Sequence, residues 1–77
     1  MVPSSEEILE IIAYACGPVD WDTKLIDEGL MDSYAFAVIL AELDDLGVRL
    51  QPIEMDAACF TTPRALICAV QEQAARS

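Results

Sequence analysis

Histidine is absent from this chain of 77 residues, and basic residues are scarce: four Lys and Arg stand against 14 Asp and Glu, a net charge of −10. Without histidine there is no Ser-His-Asp or Cys-His arrangement to activate a nucleophile. Nor can the three cysteines, Cys16, Cys59 and Cys68, complete a zinc set, since none forms a C-x-x-C pair. The three glycines stand far apart, so no glycine-rich phosphate loop exists. The shortage of Lys and Arg disfavours both nucleic acid and anionic membrane surfaces as partners. The opening Met-Val-Pro-Ser-Ser-Glu-Glu lacks a basic and then apolar leader, and apolar stretches such as 34–41 are too short to span a bilayer. These absences point away from an enzyme and toward a cytoplasmic protein whose thiols act as small hydrophobes. The acidity itself either steers a basic protein partner or keeps an apolar-rich chain soluble.

What the chain does have is apolar residues at helical spacing. Hydrophobic residues make up 55% of it, enough for one small domain over residues 1–77 built as an all-helical bundle. Ser4 and Glu7 have capping-box spacing and open a first helix with Ile8, Ile11, Ile12 and Ala15 on one face; Gly17-Pro18 ends it. Residues 17–31 form a connection that is long for a bundle. It carries Val19, Trp21, Leu25, Ile26, Leu30 and Met31 to pack with, Trp21 serving as a lid on the core.

The second helix is expected to begin at Asp32 or Ser33 and stop at Gly47. Phe36, Ile39, Leu40, Leu43 and Leu46 have the spacing of its core face. Beside them Tyr34, Ala37, Val38 and Ala41 make a second apolar stripe, which a domain this small cannot fully bury and which is read as a partner-docking surface. A short helical turn is expected within 53–60. Thr62 then caps a last helix that has Pro63 in its first position, Leu66, Ile67 and Val70 on its apolar face, and Arg76 near its negative end.

Ser33 has two readings on its own residues. Serine is among the commonest helix caps. A hydroxyl at a helix start can equally accept a group that another enzyme attaches, and a phosphodiester suits the free N–H groups and positive dipole end found there. The segment "DTKLIDEGLMDSYAF" (residues 22–36) resembles the attachment segment of acyl and peptidyl carrier proteins: an acidic residue, a spaced leucine, a glycine, then Leu-hydrophobic-Asp-Ser-hydrophobic. "EMDAACFTTP" (54–63) is similar to the corresponding stretch of D-alanyl carrier proteins, with Met55 where an aromatic is common and Phe60 where tryptophan is usual. Ala35 and Val38 stand where fatty-acid carriers usually have acidic residues.

The resemblance implies a small four-helix bundle with a long first loop and a short third helix. It implies 4′-phosphopantetheine, derived from coenzyme A, on Ser33, carrying an acyl or aminoacyl group (D-alanyl among the candidates) as a thioester. Asp32, Asp44 and Asp45 would be recognised by the phosphopantetheinyl transferase, and Tyr34, Ala37, Val38 and Ala41 would contact partners. Those partners would be an adenylating ligase and a downstream acyl-accepting enzyme, the carrier itself being a non-catalytic monomer. The rival reading is a small acidic helical interaction module in which Ser33 is only a cap.

Overall fold

A computed structural model describes residues 2–51 and 55–76. Of the turn expected within 53–60, residues 53 and 54 therefore lie outside the described residues. The described chain is all-helical: α1 (Ser5–Cys16), α2 (Ser33–Asp45), a 3₁₀ turn at Ala57–Phe60, and α3 (Pro63–Arg76). Among the described residues no helix is long and apolar enough to cross a membrane.

Each helix starts where its side chains can satisfy the free amides of the first turn. At α1 the capping box is complete: the Ser4 hydroxyl accepts from the Glu7 amide at 3.1 Å, and the Ser4 amide donates to the Glu7 carboxylate at 3.0 Å. At α3 the Thr62 hydroxyl accepts from the Ala65 amide at 3.2 Å, ahead of Pro63. Gly17 ends α1 at a φ of 95°, a conformation that costs a side-chain-bearing residue energy.

α1 packs against α2 and α3, and the 3₁₀ turn packs on α3. The shared core holds Ile8 and Ile12 from α1, Ile39 and Leu43 from α2, Leu66 and Val70 from α3, and Leu25 from the long loop, all fully enclosed. Leu25 is seated by its backbone as well as its side chain. Its N–H donates to the Thr61 carbonyl at 2.9 Å, while its own carbonyl accepts from Leu30 and Met31. Val19, Trp21, Leu30 and Met31 are half-buried against the core, so the long loop does pack through its own side chains and Trp21 covers the core as expected. Ile26 does not join them and is 47% exposed.

The core face of α2 differs from the expected one. Ala35, Ile39 and Leu43, spaced four apart, are buried. Phe36 and Leu40 lie one position round and are only half-buried, the Phe36 ring meeting Phe60 edge-on with centroids 5.2 Å apart. Leu46 is 45% exposed, because α2 stops at Asp45 and the backbone turns away before Leu46 can complete the stripe. Ala35, 2% exposed, takes a core position on α2.

Buried Gln73 holds the segment after α2. Its side-chain carbonyl accepts from the Gln51 amide at 2.7 Å, and its amide donates to the Gln51 carbonyl at 3.4 Å. Gln73→Ala should therefore destabilise the protein by about 1–2 kcal/mol in urea unfolding, since both Gln51 groups lose their partner. An unchanged midpoint would mean water replaces the pair without cost.

Candidate functional site

The long loop delivers the start of α2 to one end of the molecule. Asp20 and Thr23 lock the loop's first turn reciprocally: the Asp20 amide donates to the Thr23 hydroxyl at 2.9 Å, and that hydroxyl donates to the Asp20 carboxylate at 3.0 Å. Asp22 then receives a forked pair of hydrogen bonds from Arg64 on α3, at 3.0 and 3.2 Å. The Arg64 amide also donates to the Trp21 carbonyl at 2.9 Å. Gly29, at a φ of 70°, makes the last turn. Its N–H donates to Ile26 as the chain doubles back over Leu25 toward Asp32 and Ser33.

Hydrogen bonding to Arg64 holds the exposed Asp22 carboxyl below the ordinary carboxylate range, with the Coulomb attraction adding to it. A lowered folded value means the contribution is present above the unfolded pKa and is lost as pH falls through the folded one. The stability difference between wild type and Arg64→Ala should accordingly be small at pH 7, as for exposed pairs generally, and vanish on acidification below the usual carboxylate range. Melting temperatures of both proteins along a pH series check this; a gap that persists at the acid end would assign the effect to Arg64 packing instead.

Asp32, not Ser33, caps α2. Its carboxylate accepts from the Ala35 amide at 2.8 Å and its carbonyl from the Phe36 amide at 2.9 Å. Ser33 is thus the first residue inside the helix and is exposed, and among the described residues no hydrogen bond of its hydroxyl is found. The reading of Ser33 as the cap is therefore corrected: the acidic neighbour has the extended backbone and the reach that capping needs. Cys16, at the end of α1, sits beside this point. Burial raises its thiol pKa, and the negative charge of Asp32 raises it further.

The three aspartates expected to be recognised by the transferase lie at opposite ends of α2. Asp32 precedes α2, whereas Asp44 and Asp45 close it, so roughly 18–20 Å of helix axis separates them. Asp44 is also engaged by Arg49 at 3.5 Å, an exposed pair. The second stripe of α2 is largely open to solvent: Tyr34 is 75% exposed, and Ala37 and Ala41 are exposed too. Val38 is half-buried, because α1 rises beside it and Tyr14 and Ala15 share its surroundings.

Tyr14 went unnoticed in the sequence. It is 74% exposed on α1, facing the same groove as Tyr34, Val38 and Ala41. Its place three residues after Ile11 was the available signal. The site therefore consists of an exposed hydroxyl, unbonded among the described residues, at a capped helix start next to a tyrosine-lined apolar strip. Compared with protein-family models and with curated proteins, the chain matches none.

Proposed function

We propose that the protein is a cytoplasmic carrier that holds an acyl or aminoacyl group, D-alanyl among the candidates, on 4′-phosphopantetheine attached to Ser33. The finer fold belongs to this reading: the 3₁₀ turn at Ala57–Phe60 is the short third helix of an acyl-carrier four-helix bundle. One observation carries the proposal. Asp32 does the capping, which leaves the Ser33 hydroxyl exposed, without a hydrogen bond among the described residues, and open to a modifying enzyme.

The residues present fit the group. As the first residue of α2, Ser33 places its hydroxyl at the positive end of the helix, where first-turn amides suit a phosphodiester. The long loop, fixed through Leu25 and Arg64, keeps that end in place. When bound, the group supplies a terminal thiol for a thioester, and the chain's own work is to hold Ser33 outward and present partner surfaces. Asp32, Asp44 and Asp45 would then contact the transferase at two separate points along α2. Tyr34, Ala37, Val38 and Ala41 would meet the loading ligase and the acyl-accepting enzyme.

The test is incubation with coenzyme A and a broad-specificity phosphopantetheinyl transferase, followed by intact mass. An increase of one phosphopantetheine located at Ser33 supports the carrier. No increase with several transferases favours an acidic interaction module instead.

A further inference from the structure

We infer that the groove between α1 and α2 is a docking site for a basic amphipathic helix of a partner protein. α1 ends beside Asp32 and α2 runs back along it, so the two helices are antiparallel and leave a furrow between them. At one end a depression of about 290 Å³ is floored by Ile11, Tyr14 and Leu46 and rimmed by Glu10, Glu42 and Asp45, with Glu7 at its edge. A second depression of about 390 Å³ shares Tyr14, Glu42 and Asp45 with the first and continues past Val38 to Tyr34. The furrow is therefore continuous, from the closing residues of α2 to the neighbour of Ser33.

Two properties select the occupant. The floor is apolar but open: Tyr14 is 74%, Tyr34 75% and Leu46 45% exposed, large side chains that water leaves poorly satisfied. The rim is uniformly acidic, with no Lys or Arg lining either depression. Among the described residues the ion pairs are made elsewhere, by Arg49 with Asp44 and Arg64 with Asp22. Neither pair involves Glu10, Glu42 or Asp45, which line the groove. A helix with Leu-type residues along one face and Lys or Arg on both flanks would bury the tyrosines and neutralise both walls at once. The groove is shared by α1 and α2 and takes in Tyr34, Val38 and Ala41 of the second stripe, so it extends the proposed partner surface onto α1; peptide binding there does not require Ser33 to be modified.

The test uses the 77-residue chain, isotopically labelled, titrated at about 150 mM salt, where diffuse attraction is largely screened. The probe is a synthetic helical Leu/Lys peptide; a Ser/Lys peptide of equal charge and a Leu/Glu peptide are the comparisons. Saturable NMR shift changes confined to residues 7–14 and 34–46 are expected with the Leu/Lys peptide alone. Tyr14→Ser and Glu10→Lys should each weaken that binding about tenfold, as loss of a central aromatic or a paired charge does, with melting temperature unchanged. Equal binding by the Ser/Lys peptide, or shifts spread over the whole surface, would overturn the proposal in favour of unspecific charge attraction. Shifts in the same residues that depend on protein concentration without peptide would assign the groove to self-association and overturn it as well.

Discussion

Ser33→Ala should abolish transferase-dependent modification completely while leaving the fold intact. The mass increase seen with coenzyme A and transferase should disappear, because no other hydroxyl combines the first position of a helix with an Asp cap before it. Stability should move by no more than about 0.5 kcal/mol. Asp32 supplies the capping hydrogen bond to Ala35, Ser33 makes none, and alanine is a better helix former than serine. Asp32→Ala is the informative partner. It removes the cap, so it should cost about 0.5–2 kcal/mol, yet Ser33 remains as an acceptor and some modification should persist. A Ser33→Ala protein that no longer folds, judged by circular dichroism, would make the serine structural. A Ser33→Ala protein still modified in full would place the attachment elsewhere and remove the carrier proposal's basis.

The second large effect is structural. Leu43→Asp should unfold the protein. Leu43 is completely enclosed and belongs to the core cluster that also holds Ile8, Ile12, Leu66 and Val70. Truncating such a leucine alone costs about 2–5 kcal/mol, and burying an unpaired carboxylate in its place adds more. A domain this small has a total stability toward the lower end of about 5–15 kcal/mol. Tyr34→Asp, on the same helix but 75% exposed, should stay within about 0.5 kcal/mol of wild type. Cooperative melting of Leu43→Asp near the wild-type temperature would contradict the assignment of the core. Comparable damage from both substitutions would mean that α2 is covered on both sides.

The two outcomes separate function from fold on one helix. Ser33 and Tyr34 face outward at its start, and Ile39 and Leu43 face inward along its length. A partner can therefore reach the attachment point without disturbing the packing that holds it.

Helix starts were legible in the residues because capping is local. Ser4 with Glu7, and Thr62 before Pro63, reach backbone amides only three positions away, so spacing alone was sufficient. The same locality placed the start of α2 at Asp32 or Ser33 but could not choose between them. Either side chain can cap; the choice depends on which residue takes the extended backbone, and the loop anchored by Leu25 and Arg64 gives that role to Asp32. Periodicity likewise found Ile39 and Leu43, whereas Ala35 in the core and Leu46 outside it depended on how α2 packs against α1 and on where α2 ends. Tyr14 joins Tyr34 in one groove because α1 and α2 run antiparallel. Gln73 meets Gln51 across 22 positions of chain. Such meetings are set by how the helices pack, which no short window of sequence contains.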